Sequence, residues 1–400
     1  MKIVQLDIQG FRSLKNVSWR PGNLNVIIGP NGSGKSNLLR MLEMISAAAQ
    51  GRLSRHVQDE GGMGAIVWDG QVTDVKWQIK EAPTSSVALQ DFVRSYSVYL
   101  LRLGLSGSYK VWEESLVTTR FHVGEQDEGI TTPQIQRLAN NAAYYTDDDE
   151  QVQLLKEVVP EEETVLSLAS SAVAVNQILP ILVRDFGNIA IYTDLRVDRH
   201  APIRQAPVSR LEQRVASDGQ NLINVLHTLY TSDRQFKQDI NDAMSAAFGT
   251  DFDELIFPPD SGDQRIQMRV RWKTLKRDQS TADLSDGTLR FLFLITVLAS
   301  PNPPPLIAID EPETGLHPSM LPIIAEFAAE AATRTQVIFT THSDSFLDAF
   351  RDTRPTTTVA KWENGETTLT TLDDAELAYW LEGYSLGKLF RSGELENIAS

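Results

Sequence analysis

The 400-residue chain has no cysteine, which excludes a disulfide framework, a thiolate metal site and a thiol nucleophile. No apolar run approaches the roughly 18 residues that crossing a membrane takes, and Met1-Lys2-Ile3 opens no signal peptide. A soluble, cytoplasmic protein with no membrane partner is expected. Basic residues are scarce: 37 Lys and Arg stand against 53 Asp and Glu, a formal net charge of -16, which argues against a surface coated in nucleic acid. Internal repeats, low-complexity linkers and sustained heptads are missing too, so no long coiled coil is expected.

What is present suffices for more than one core. Four hundred residues with a hydrophobic fraction of 42% point to two lobes or to a domain with an insertion. At the start, "MKIVQLDIQGF" alternates like a strand, and "NLNVIIGP" runs from an apolar strand into a glycine-rich loop. The following "KSNLLRMLEMISAAA" has helical spacing. Alternating segments over 65–80 and 96–116 then read as an antiparallel meander turning at Asp69-Gly70 and around Ser106-Gly107. Residues 1–120 are thus expected to form an N-terminal lobe. Residues 121–255 read as a mainly helical insertion with a strand near 188–195.

Residues 256–400 read as a C-terminal lobe. There "GTLRFLFLITVLAS" and "SMLPIIAEFAAEAATR" are helices, and "PPLIAID" and "QVIFTTHS" are continuously apolar strands. That alternation means a parallel sheet covered on both faces. "TVAKWENGETTLTTL" reads as a hairpin turning at Asn364-Gly365. In "RIQMRVRWKTLKR", Ile266, Met268, Val270 and Trp272 alternate with Arg265, Arg269 and Arg271. This half-buried strand has a cationic outer face, which is either a solvated strand face or a local patch for DNA.

Three stretches carry chemistry. "GPNGSGKS" fits the P-loop pattern, with Gly29, Gly34, Lys35 and Ser36 at the required spacing and the strand and helix it needs on either side. Backbone N–H groups of such a loop ring the phosphates, Lys35 neutralises them and Ser36 ligates Mg2+. In "LIAIDEPETGLHP" a strand delivers Asp310, which would hold Mg2+ through a water, and Glu311, which would orient and deprotonate an attacking water. "FTTHS" ends the next strand on His342, placed to hydrogen-bond a γ-phosphate. A fourth stretch, "LSDGTLRF" (284–291), sets a Ser-Asp-Gly turn at a helix start, itself an anion site.

In that order and spacing, "GPNGSGKSN", "LSDGT", "LIAIDEPETGLHP" and "TTHS" resemble the ABC-type ATPases of the RecF, SMC and overcoming-lysogenisation-defect (OLD) class. "GFRSLKNVSW", "ASDGQNLINVLHTLY" and "EGYSLGKLFRSGEL" resemble the compact AAA-family branch of bacterial defence loci. The resemblance implies an α/β fold: a P-loop NTPase with an ABC-type head, its mixed sheet flanked by helices, beside an antiparallel β subdomain. It also implies ATP and Mg2+ as cofactors, with Gly29, Pro30, Asn31, Gly32, Ser33, Gly34, Lys35, Ser36 and Asn37 at the nucleotide and Arg12 as a candidate for its phosphates. Ser36 and Asp310 would serve the metal, and Glu311 and His342 the hydrolysis.

In such ATPases the nucleotide is sandwiched in a head-to-tail homodimer, so Leu284, Ser285, Asp286 and Gly287 would cap the γ-phosphate of the partner's P-loop. Asp286 departs from the glycine usual there, which is unfavourable beside a phosphate unless its carboxylate points away. A glutamine of the family's Gln-loop is not assignable among Gln71, Gln78 and Gln90. The implied role is a switch or motor in DNA-associated repair or anti-phage defence. OLD proteins carry a TOPRIM nuclease domain, for which too little chain follows His342, so cutting would fall to a separate nuclease or effector protein. The acidic runs "DFDE" and "DDDE" read as solvated loops. Two other functions compete: the nucleotide-binding subunit of a transporter, and an ATP-gated scaffold without nucleic acid.

Overall fold

The computed structural model describes residues 1–398 apart from 71, 83–91, 107, 123–129, 138–142, 147–150, 156–158, 169–177, 259–263, 351–352 and 382. The chain opens with β1 (Lys2–Phe11), β2 (Leu14–Trp19), β3 (Leu24–Ile28) and α1 (Lys35–Ala49). Short helices α2 (Leu53–Asp59) and α3 (Met63–Ile66) lead to β4 (Asp74–Ala82), β5 (Phe92–Ser106) and β6 (Ser108–His122). Next come β7 (Ile130–Arg137), β8 (Ala143–Thr146), β9 (Val152–Leu154), α4 (Val165–Leu168) and α5 (Ile178–Gly187). The middle of the chain holds β10 (Ala190–Tyr192), α6 (Leu222–Ser232), α7 (Arg234–Phe248), β11 (Phe252–Ile256), β12 (Arg269–Trp272) and β13 (Gln279–Ser280). Then follow α8 (Asp286–Leu298), β14 (Leu306–Asp310), α9 (Leu321–Ala331), β15 (Gln336–Thr341) and α10 (Asp344–Leu347). The end holds β16 (Thr356–Glu363), β17 (Glu366–Thr371), α11 (Asp374–Leu381), α12 (Leu386–Arg391) and α13 (Glu394–Ile398).

These elements group into two compact units, Met1–Ile189 with Thr356–Leu372, and Ala190–Pro355 with Asp373–Ile398. In the first unit an antiparallel sheet runs in the order β2-β1-β4-β5-β6-β7-β8-β9. Its alternation is plain in β4, where Val75, Trp77 and Ile79 are buried and the residues between them are not. Strand β3, buried at all five residues, pairs in parallel with β16, which turns into β17 through Asn364 and Gly365 at φ 52° and 84°. Two successive left-handed residues are the geometry an Asn-Gly hairpin turn supplies.

The expected helical character beyond residue 121 is corrected at Ile130–Arg137, Ala143–Thr146 and Val152–Leu154, where β7, β8 and β9 extend the sheet. Among the described residues of this stretch, helices follow from α4. Glu114, fully buried on β6, explains how that change of direction is held. Its carboxylate accepts from the Val165 and Leu166 amides at 2.6 and 2.9 Å and from the Tyr99 hydroxyl at 3.0 Å. Arg137 on β7 donates to the Glu163 and Pro160 carbonyls at 2.6 and 3.1 Å. Burial pushes the Glu114 carboxyl above its usual range, and the two backbone hydrogen bonds oppose that rise. Glu114→Ala strands both amides and the hydroxyl, so it is expected to lower the unfolding free energy by about 3–5 kcal/mol in a denaturant titration. A loss below about 1 kcal/mol would mean that α4 is held by apolar packing instead.

In the second unit β10, β14 and β15 run in parallel, with Tyr192 beside Ile309 and Asp310 beside Thr340. Leu306, Ile307, Ala308 and Ile309 are all buried, as is every residue of β15, the pattern of strands covered on both faces. The mixed α/β class expected from the sequence is what the chain adopts. Strands β11, β12 and β13 form a small antiparallel sheet, and here one arginine of the cationic strand face is paired with carboxylates while the other two meet neutral acceptors. Arg271 pairs with Glu254 at 2.7 Å and with Asp278 at 3.1 Å, Arg269 donates to Gln267 at 2.7 Å, and Arg265 donates to the Ala206 carbonyl at 2.8 Å. No helix among the described residues is long and apolar enough to cross a membrane.

Candidate functional site

In the first unit β3 delivers the chain to a loop over residues 29–34 that enters α1. The helix starts on Gly34 in a left-handed conformation, φ 97°, with no side-chain cap and no acidic residue in its first turn. Its leading N–H groups and positive dipole end therefore meet no carboxylate from the helix's own first turn. Glycine is required at 34 because a Cβ would come within 2.0 Å of Thr367 Oγ1 and 2.8 Å of Ser13 Oγ. Thr367 Oγ1 itself lies 2.9 Å from the Ser33 carbonyl and 2.7 Å from Ser13 Oγ, and Asn37 Nδ2 donates to Ser13 Oγ at 2.7 Å. The buried Lys35 ammonium spans the loop, donating to the Gly29 and Pro30 carbonyls at 2.6 and 3.0 Å. Ser33 Oγ is buried without a hydrogen-bond partner. An uncapped helix start, an ammonium within the loop and an orphaned hydroxyl are donors that fit a phosphate chain, and Ser36 stands on the first turn beside them.

Arg12 sits at φ 48° with its amide bonded to the Ile66 carbonyl at 2.6 Å. Its guanidinium forms an ion pair with Glu60, a carboxylate that Arg40 also approaches at 3.4 Å. Reaching a phosphate would require Arg12 to exchange Glu60 for it.

In the second unit the parallel register brings the ends of β14 and β15 together. The Thr340 hydroxyl donates to Asp310 Oδ1, and Glu311 Oε1 lies 2.9 Å from His342 Nδ1. Glu311 occupies the left-handed region at φ 45°. A non-glycine residue held there is strained, a feature concentrated at functional sites. Two residues on, Glu313 accepts from the Thr341 hydroxyl, and that oxygen accepts from the Ser343 amide at 2.9 Å. Burial pushes the Glu313 carboxyl above its usual range, with the Thr341 hydrogen bond opposing. The His342 backbone is thus gripped on both sides while its ring meets Glu311. A cavity of about 180 Å3 opens here, its lining including Asp310, Glu311, Thr314, Arg290 and, from the end of β10, Tyr192 and Asp194.

The Ser-Asp-Gly turn also lies in the second unit. Ser285 caps α8, its Oγ accepting from the Thr288 amide at 3.1 Å. Gly287 is packed so closely that a Cβ would come within 2.8 Å of the Gly315 carbonyl. Asp286 is paired with Arg204, so its charge has a counter-ion at the turn itself. Sequence reasoning missed Arg204, which is 82 positions from Asp286 and leaves no local pattern. It also missed Thr340, Thr341 and Thr367, ordinary strand residues by composition, although the first two stand in the stretch read for His342.

Of the three glutamines weighed, Gln78 stands mid-strand between Asp7 and Leu100, and Gln71 and Gln90 lie outside the described residues. The run "DDDE" lies outside them as well. In "DFDE", Asp251 accepts from the Thr274 amide and hydroxyl at 3.0 and 2.8 Å and Glu254 pairs with Arg271. Among the described residues no three His, Asp or Glu side chains cluster as a metal site.

The family described as "AAA domain, putative AbiEii toxin, Type IV TA system" matches residues 137–348, and the family described as "AAA ATPase domain" matches residues 1–88. No curated protein matches the chain. Among solved structures, an SmcHead bound to the C-winged helix domain of ScpA is similar at 15% identity and a TM-score of 0.54, covering 94% of this chain and 100% of that one. The Smc head domain from Pyrococcus furiosus, with an extended coiled coil and bound to the C-terminal domain of ScpA, is similar at 13% identity and a TM-score of 0.53, covering 95% and 98%.

Proposed function

We propose that this chain, which belongs to the AAA-domain family matched over residues 137–348, is an ATP-driven dimerisation switch of the RecF, SMC and OLD class. Its AAA ATPase regions and its SMC-head-like fold make ATP binding and hydrolysis its general activity. The observation that carries the finer reading is the loop over 29–34, where an uncapped helix, the Lys35 ammonium and the orphaned Ser33 hydroxyl converge. Gly29, Pro30, Asn31, Gly32, Ser33 and Gly34 wrap the phosphates, Lys35 and Asn37 orient them, and Arg12 is recruited from Glu60. Ser36 would ligate Mg2+ and Asp310 would hold it through a water, and the ion would supply positive charge against the charge that develops on the transferred phosphoryl group.

Glu311 takes the proton of the attacking water, and His342 holds the Glu311 carboxylate and hydrogen-bonds the γ-phosphate. Leu284, Ser285, Asp286 and Gly287 act in trans, completing the site of a second copy in a head-to-tail homodimer. The bound state then recruits a separate effector or nuclease, as the similar Smc heads are bound to ScpA, in DNA-associated repair or anti-phage defence.

The pairing of Arg271 with Glu254 and Asp278, together with the net charge of -16, favours a second reading, a scaffold gated by ATP without nucleic acid. ATP hydrolysis measured across protein concentration, with and without linear duplex DNA, separates the two. A specific rate that climbs with concentration and with DNA supports the DNA-associated switch. A rate that climbs with concentration alone moves the trigger to a protein, and a rate independent of concentration removes the dimer.

A further inference from the structure

Arg204 is 7% exposed as a side chain and all three of its guanidinium nitrogens are engaged. Nε donates to the Val197 carbonyl at 2.8 Å, and Nη1 to the carbonyls of Leu284 and Thr281 at 2.7 and 3.1 Å. Nη2 pairs with Asp286 Oδ1. The main chain is tied in return, since the Thr281 hydroxyl donates to the Arg204 carbonyl at 3.0 Å. One side chain therefore grips the segment on both sides of Leu284 and neutralises the carboxylate that follows. A buried arginine engaged by one carboxylate and three carbonyls is held in a single geometry, because its planar fork fixes all its donors at once. Asp286, by contrast, is 64% exposed, so its charge stands at the surface that an approaching anion would meet.

We propose that Arg204 is a positioning residue for the signature turn, cancelling the Asp286 charge so that Ser285 and Gly287 can receive an anionic phosphate. This rests on the reading that the turn faces the partner's nucleotide. Without Arg204 the turn offers a negative charge to a phosphate and loses the anchor of Leu284. With Arg204 in place, the aspartate is compatible with anion binding, and the departure from glycine at that position is compensated within the same unit.

The test is ATP hydrolysis and nucleotide binding by the full chain. Arg204→Gln is expected to bind ATP like wild type through its own P-loop yet to hydrolyse about a hundredfold more slowly. Adding Asp286→Asn is expected to recover at least about tenfold of that loss, because a turn without a carboxylate needs no neutralising partner. A purely structural role for Arg204 predicts no recovery, and a double variant no faster than Arg204→Gln overturns the proposal.

Should Arg204→Gln fail to fold, Asp286→Asn alone decides. It is expected to lower the ATP concentration for half-maximal hydrolysis, since the Arg204 charge is then unopposed, and an unchanged or higher value overturns the proposal. Mixing Ser285→Arg with Lys35→Ala chains tests the underlying reading separately. Each chain supplies what the other lacks, so restored hydrolysis supports action in trans, whatever Arg204 does. A mixture that stays inactive overturns that reading and the proposal resting on it.

Discussion

Glu311→Gln is expected to bind ATP, to hydrolyse it about a hundred- to a thousandfold more slowly than wild type, and to accumulate as an ATP-bound dimer. The substitution keeps the shape and one acceptor oxygen, so the 2.9 Å contact with His342 Nδ1 can persist, and the strained backbone at φ 45° is already accommodated by the fold. What it removes is a group able to take the proton of the attacking water. The phosphate donors around Lys35 lie in a different stretch of chain and are untouched. Binding and hydrolysis should therefore come apart, and under the proposed nucleotide sandwich the ATP-bound dimer should persist. Light scattering on the eluting protein, at micromolar concentration with ATP and Mg2+, reads the outcome. A variant that remains monomeric there refutes the nucleotide sandwich, and one that retains hydrolysis removes Glu311 as the base.

Ser285→Arg carries the second large effect, loss of hydrolysis by about a hundredfold or more with ATP binding intact. Ser285 caps α8 through the Thr288 amide, and losing a cap costs about 1 kcal/mol. That is tolerable for a helix buried from Thr288 through Leu298 except at Arg290. The arginine itself fills the surface where a phosphate would meet the turn, so the chain should fold, load its own P-loop and stall. Equilibrium binding of a fluorescent ATP analogue beside a phosphate-release assay makes the comparison. Loss of binding as well would mean that the turn serves its own subunit's nucleotide.

Much of this site is readable in one dimension because its chemistry is written in contiguous stretches. The P-loop needs glycine where backbone must approach closely, and the 2.0 Å clearance at Gly34 is that requirement in three dimensions. The Asn364-Gly365 hairpin and the apolar strands β14 and β15 are likewise local, since turn geometry and two-sided burial are imposed residue by residue. Strands β7 to β9 were not readable. Pro133 interrupts β7 where the register with β6 shifts, as proline does at bulges. All three residues of β9 are exposed at the sheet's edge, so no alternation marks it.

The sequence by itself singled out the residues proposed to hold a phosphate and activate a water, and determined the parallel strands β14 and β15. Only the tertiary structure decided what those residues answer to: Glu60 for Arg12, Thr340 for Asp310, His342 for Glu311, and Arg204 for Asp286. The reason is physical. Backbone geometry and burial pattern act between neighbours along the chain, whereas charges and hydrogen bonds are satisfied by whatever the fold brings within about 3 Å, and at Asp286 that partner comes from 82 positions away.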